Sequence, residues 1–393
     1  MGKYDFDTVI ERRSTFASKW DVKEGELPMS MADMEFAAAP QIRQAMQKRL
    51  DNGIYGYTDV PDVWYEVYQK WWEMRHGLKI EKEELIFCTG VVPAFYSAVR
   101  KLTTPAEKVL VLTPIYNVLI NSIVNNGRIP LMCPMLLKDG EYSIDWEDFE
   151  AKAADPQTSM MLLCNPHNPI GRLWDKETLA RIGEICARYH IVVLSDEIHC
   201  DVTDPGKKYT PFAAASETCA QISVTCLAPT KAFNLAGLHT AAVLVRDPFM
   251  RHKMWRSLNS DIVAEPGAFA IEATVAAFRE GEPWLEEMCS YVKENKDRVR
   301  KVIAEEIPQI RVTPSEGTYL LWLDCSSVTD SEVKLGDFIR EKTGLVLTKG
   351  TLYGLGGEKF LRMNCACPKV LLEDGLERFV RGVKLYMDEF PLP

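Results

Sequence analysis

No uninterrupted apolar run in these 393 residues reaches the roughly 18 that a helix needs to cross a bilayer, so no membrane span is expected. There is no Lys/Arg-rich run either, and a formal net charge of -10 argues against nucleic acid as a partner. The opening Met1-Gly-Lys-Tyr-Asp-Phe-Asp7 is polar and charged with no apolar stretch behind it, unlike a secretory leader. Phe6 stands where a myristoylation motif needs Ser or Thr. Together these absences predict a cytoplasmic protein. The sequence also lacks internal repeats, low-complexity linkers and the Gly-Lys-Ser/Thr of a P-loop. Its 11 cysteines are scattered from Cys88 to Cys367, mostly inside apolar runs, as buried thiols in a reducing compartment are. Only Cys365 and Cys367 stand close together, and no second Cys or His cluster completes a zinc site around them, so no metal is expected.

What is present is a globular composition, 47% hydrophobic, in a chain longer than one ordinary domain, which predicts two domains. Short apolar runs alternate with helical patterns from Leu85 to Val245. Strands are expected at Leu85 to Cys88, Val109 to Leu112, Met160 to Cys164, Ile191 to Leu194, Ile222 to Leu227 and Thr240 to Val245. Continuous apolar strands separated by helices indicate a mostly parallel sheet covered on both faces, an α/β domain. After Gly281-Glu-Pro283 a long helical pattern leads into a smaller α+β unit that the N-terminal segment completes. The expected division is 51–283 for the large domain and 1–50 with 284–393 for the small one.

In an open α/β sheet ligands bind beyond the C-terminal ends of the strands, so the residues there carry the functional signal. Lys231 follows the apolar run Ile222 to Leu227, where burial lowers an amine's pKa and leaves it nucleophilic. Thr89 and the amides of Gly90, Val91 and Val92 open a helix after Cys88, a place suited to a phosphate. Asn165-Pro-His-Asn168-Pro169 fixes an amide donor between two prolines. Asp196 ends an apolar strand, where a carboxylate needs a cationic partner. Each of these alone is equally an ordinary turn, strand edge or structural ion pair. As a set they supply a phosphate cradle, an amide donor, a buried carboxylate and an amine nucleophile, the requirements of pyridoxal 5′-phosphate.

With Met31-Ala-Asp33-Met-Glu-Phe36, Gly90-Val-Val-Pro-Ala94, Asn165-Pro-His-Asn-Pro169 and Asp196-Glu-Ile-His199, the chain resembles, along nearly its whole length, fold type I pyridoxal-phosphate enzymes of the class I/II aminotransferase superfamily. Within it the motifs are most similar to the MalY/PatB type of cystathionine β-lyase, or C-S lyase. Many aminotransferases of the superfamily have tyrosine where His199 stands. The resemblance implies a transferase-like α/β fold with a large, mostly parallel seven-stranded sheet and a smaller α+β domain.

By matching position, it implies that Lys231 holds the cofactor aldehyde and shuttles the substrate Cα proton. Asp196 pairs with the ring nitrogen, Asn168 bonds the ring 3′-oxygen with His199 near the same edge, and Tyr116 stacks on the ring. The Val91 and Val92 amides, Thr230, and Tyr57 from a second subunit hold the phosphate, which makes the protein a homodimer with shared sites. Tyr55 is the alternative to Tyr57. Arg362, in Phe360-Leu-Arg-Met-Asn364, grips the substrate α-carboxylate, with Asp33 also on the substrate side. Two positions depart from the superfamily pattern: Ala228 stands where a serine and His239 where a basic residue often hold the phosphate. The activity implied is cleavage of L-cystathionine or a related cysteine S-conjugate to a thiol, pyruvate and ammonia. An aminotransferase, or a regulatory binding protein on the same fold, are the alternatives.

Overall fold

The computed structural model describes residues 2–390. Met1 and 391–393, assigned above to the small unit, lie outside the described residues. The large sheet has seven strands: β1 (Leu85–Cys88), β2 (Lys108–Thr113), β3 (Ile129–Pro134), β4 (Thr158–Cys164), β5 (Val192–Asp196), β6 (Ser223–Leu227) and β7 (Ala241–Leu244). Their order across the sheet is β1-β7-β6-β5-β4-β2-β3. β7 runs antiparallel to both neighbours and all other pairings are parallel. Hence β1, β2, β4, β5 and β6 point the same way, and the residues following them gather along one edge.

The apolar runs form strands because both faces of this sheet are covered. Val109, Val111, Met160 and Leu162 pack with helices Val91–Leu102 and Pro248–Ser260. Leu110, Leu112, Met161 and Leu163 pack with helices Trp146–Ala153 and Lys176–Arg188 on the other side. That alternation is the two-residue period of a strand filling two cores at once. The seventh strand, β3, escapes a reading of apolar runs. Its sequence Ile-Pro-Leu-Met-Cys-Pro carries two prolines, and the sheet accepts them because β3 lies at the edge.

The small unit holds a four-stranded antiparallel sheet ordered Arg311–Val312, Leu320–Asp324, Phe360–Asn364, Thr348–Lys349. The N-terminal segment joins it through Leu27–Pro28, which pairs in parallel with Leu345–Val346. Two boundaries differ from the sequence expectation. Helix Pro40–Asn52 packs against Ala270–Glu280 and buries Ala39 and Ile42 in the core under the large sheet, so the large unit begins before residue 51. Helix Glu282–Glu306 belongs to both units: Trp284, Leu285, Met288 and Val292 enter that same core, while Val299, Val302 and Ile303 enter the small unit's core. A 25-residue helix is long enough to span two cores, so no linker separates them. Among the described residues no helix is long and apolar enough to cross a membrane.

Candidate active site

The strand ends converge on a cavity of about 620 Å³ between the sheet edge and the small unit. Lys231 reaches it four residues beyond β6, Asp196 from the end of β5, Asn168 four residues beyond β4 and Tyr116 three beyond β2. Thr89 to Val92 line it after β1, and Val91 and Val92 occupy the first turn of helix Val91–Leu102, whose amides lack intrahelical acceptors. Thr230 and His199 also line it, and Arg362 enters from the small sheet. Nine of the eleven residues expected at the site therefore share one cavity.

Burial sets the charge of these groups. It lowers the Lys231 pKa to about 8, with Asp33 opposing and Arg362 assisting. It pushes Asp196 up to about 7, since one backbone amide, that of Ile198 at 3.2 Å, is its only hydrogen-bond donor among the described residues and the Lys231 charge compensates weakly. Burial, then the Lys231 and Arg362 charges, hold His199 well below the ordinary imidazole value, so the ring is neutral. His199 Nδ1 is buried without a partner, and its ring meets Tyr319 edge to face at 5.7 Å. A fully buried carboxylate short of a cation, beside an unpaired ring nitrogen, fits a ligand that brings a protonated heterocycle. The residues present thus fit the cofactor that the sequence resemblance implies.

Asn168 explains its own orientation. Its side-chain oxygen accepts from Arg362 Nη1 at 3.1 Å, which leaves its NH₂ to donate toward a ligand. The other arm of Arg362 donates to the Ser30 carbonyl at 2.7 Å, and its guanidinium lies 5.2 Å from the Tyr353 ring centre.

The segment 30–35 is a strap whose residues Ser30, Met31 and Ala32 line the cavity and whose carbonyls are held by side chains. Ser30 O accepts from Arg362 and Thr348, Met31 O from Asn364, and Ala32 O from Lys231 Nζ at 2.5 Å and Tyr319 at 3.0 Å. Asp33 O accepts from Asn364 at 2.7 Å and from Lys19 at 3.1 Å. Asn234 completes the clamp, accepting from Met34 N and donating to the carbonyls of Met34 and Phe36. Its left-handed backbone, φ 58°, is one that asparagine tolerates. Sequence reasoning missed Ser30, Asn234, Tyr319 and Asn364. The only available signals were an asparagine three residues past Lys231 and another two past Arg362.

Two expected residues are not on the cavity wall. Asp33 is turned outward, its carboxylate 2.7 Å from Arg12 Nη2 and 3.3 Å from Lys19, with Glu35 bound to the same two cations. This ion-pair group holds Asp33 behind the strap, from where it acts on Lys231 only through its charge. Tyr57 is fully exposed on the loop 53–61 and touches no part of this chain's cavity. Tyr55, by contrast, is tied down within its own chain, donating to Leu50 O and packing on Phe269. Of the two departures from the superfamily pattern, Ala228 is buried away from the cavity and His239 is on its wall.

Comparison with known proteins gives the chain's family. Residues 25–379 match the family described as aminotransferase class I and II. The chain is 41% identical over 381 residues to a Bacillus subtilis protein named cystathionine beta-lyase PatB, covering 95% of this chain and 98% of that one. Among solved structures, a pyridoxal-phosphate-bound putative aminotransferase from Clostridium difficile superposes with a TM-score of 0.94 at 36% identity, covering 97% of this chain and all of that one. Cystalysin from Treponema denticola, which contains pyridoxal 5′-phosphate, also gives 0.94, at 31% identity, covering 97% of this chain and 99% of that one.

Proposed function

From its membership of the aminotransferase class I and II family, to which this chain belongs, we propose a pyridoxal 5′-phosphate-dependent carbon-sulfur β-lyase. It cleaves L-cystathionine or related cysteine S-conjugates to a thiol, pyruvate and ammonia. The observation that carries this reading is the convergence of Lys231, Asp196 and Arg362 on one cavity. The choice of lyase over transferase follows the 41% identical relative.

When bound, pyridoxal phosphate supplies an aldehyde that joins amines and a protonated ring that draws electrons from the substrate Cα. The protein's part is to hold, orient and move protons. Asp196 would hold the ring nitrogen in its protonated form, taking from it the cationic partner that its burial calls for. The Asn168 NH₂ fixes the ring's oxygen edge beside His199, while Tyr116 covers a face. The Val91 and Val92 amides with Thr230 receive the phosphate, and His239 adds a donor where Ala228 offers none. Arg362 grips the substrate α-carboxylate with its fork and so sets the Cα hydrogen before Lys231. Lys231 Nζ, with a pKa near 8, removes that proton as general base, and the β-sulfur departs as thiolate.

We further propose a cytoplasmic homodimer in which the loop 53–61 of each protomer brings Tyr57 to the phosphate end of the other's cavity. The full exposure of Tyr57, against the anchored Tyr55, supports this. Sedimentation should give a dimer; a fully active monomer would contradict the shared site.

The test of function is incubation of the cofactor-loaded protein with L-cystathionine and no keto acid. Pyruvate and homocysteine in equal amounts are expected. Product formation only after a keto acid is added would assign the transferase reaction instead.

A further inference from the structure

Resting on the lyase reading, we propose that the site selects cysteine conjugates whose sulfur carries an uncharged apolar substituent, and that Met31, Val346 and Leu352 form the selecting wall. Among the described residues that line the cavity, the charged side chains are Asp196, Lys231, Lys349 and Arg362. Asp196 faces the cofactor ring, Lys231 the reacting carbon and Arg362 the α-carboxylate. Lys349 looks the other way. It lies opposite Leu361 in the small sheet, its stem passes Gly336, and its amine pairs with Asp337 at 2.5 Å on helix Glu332–Thr343. His199 is neutral and belongs to the reacting end. With His239 at the phosphate end, no charged side chain of this chain's cavity wall is left to meet a charged group at the far end of a substituent.

The remaining wall is apolar for a structural reason. Thr348 stands opposite Arg362 and so faces the cavity, with its hydroxyl committed to Ser30 O at 3.0 Å. Leu345 is buried in the small unit's core, while Val346 and the partly buried Leu347 line the cavity beside Thr348. Leu352, on the short helix Gly350–Tyr353, and Met31, on the strap, complete the mouth while 53% and 44% exposed. Large apolar side chains left open in a concave wall gain from a ligand that covers them. The loop 53–61 that a second protomer would add carries Asp59 and no Lys or Arg, so it supplies no partner for a distal carboxylate.

L-Cystathionine ends in an amino-acid zwitterion, and pressing it against this wall strips water from both charges and leaves the distal carboxylate without a partner. An S-alkyl or S-aryl group meets no such cost. The reaction balances as R–S–CH₂–CH(NH₃⁺)–COO⁻ plus water giving RSH, pyruvate and ammonium, the Cα proton leaving to Lys231 as the C–S bond breaks.

The test measures kcat/KM of the cofactor-loaded protein for S-butyl-L-cysteine and L-cystathionine. Alongside, calorimetry gives dissociation constants for their sulfur-free, equal-length analogues, 2-aminooctanoate and 2,7-diaminosuberate. The apolar member of each pair should win by on the order of tenfold or more. Leu352→Arg, which places a cation on a half-exposed position, should narrow both ratios. Equal or inverted preference with both thioethers cleaved overturns the proposal and leaves the lyase reading intact. If neither is cleaved the lyase reading fails, and the calorimetric pair alone then decides the character of the wall: tighter 2-aminooctanoate supports it, tighter 2,7-diaminosuberate overturns it.

Discussion

The Arg362 guanidinium donates to the Asn168 side-chain oxygen at 3.1 Å, joining a strand of the small unit to a turn of the large one across 194 residues of sequence. The residue that would grip the substrate carboxylate and the residue that would hold the cofactor's oxygen edge are thus one hydrogen-bonded unit. Neither can shift without turning the other.

Arg362→Lys keeps the charge and loses the planar fork, so it should raise KM for the amino-acid substrate by roughly 10- to 100-fold. Asn168→Ala frees one arm of Arg362 and should cost less. Because the two share a bond, steady-state kinetics of the double variant should show a loss smaller than the sum of the single losses. Additive losses would mean that the bond carries no coupling.

Lys231 must be neutral to attack the cofactor aldehyde, and burial sets its pKa at about 8. The rate at which cofactor-free protein takes up pyridoxal phosphate should therefore rise about tenfold per pH step below 8 and level off above it. Stopped-flow absorbance reads this directly. A rate still climbing toward pH 10 would show an ordinary, solvated lysine.

Asp196 predicts a pH-dependent stability in the cofactor-free protein. Its folded pKa of about 7 lies above the ordinary 3.8, so the folded state holds a proton that the unfolded state releases. Its contribution is intact below pH 4 and is lost as pH rises to about 7, by a few kcal/mol. Asp196→Asn removes that penalty. Thermal unfolding of variant and parent should diverge in the variant's favour from pH 4 to 7 by a few °C, and then run parallel. Glu197, also pushed up to about 7, chiefly by burial and least by the Asp196 charge, adds a slope of the same sign to both proteins.

Much of this site was legible because fully buried strands leave a polar residue conspicuous at their ends. Asp196 after Val-Val-Leu-Ser and Lys231 after Val-Thr-Cys-Leu are such contrasts. Strand β3 was not legible, since its two prolines interrupt the apolar run and only an edge position tolerates them. The strap was hidden for another reason. Its work is done by backbone carbonyls, which every residue has, so Ser30 and Ala32 carry no side-chain signature. Asp33 misled for the same cause: its motif marks the strap, yet its carbonyl is held by Asn364 and Lys19 while its carboxylate pairs with Arg12.

Away from the cavity, Asp201 anchors a buried network, accepting from His76 Nε2 at 2.9 Å and Trp71 Nε1 at 3.1 Å and forming an ion pair with Arg75 Nε at 3.0 Å. Burial would raise its pKa, but His76 and Arg75 hold it below the ordinary carboxylate value. Its stabilisation is present above pH 4 and lost as pH falls further. Asp201→Ala leaves the Arg75 charge without its buried partner and should cost about 3–5 kcal/mol. A thermal midpoint unchanged from the parent would show that the network contributes nothing.

Whether this site eliminates or transaminates is decided most directly by a half-reaction. Cofactor-loaded protein is mixed with a few equivalents of an S-alkyl-L-cysteine, freed of small molecules, and the cofactor is released and identified. The cofactor should return in its aldehyde form, with pyruvate and thiol in the filtrate. Recovery of the cofactor in its amine form, with the thioether intact in a keto acid, would contradict it.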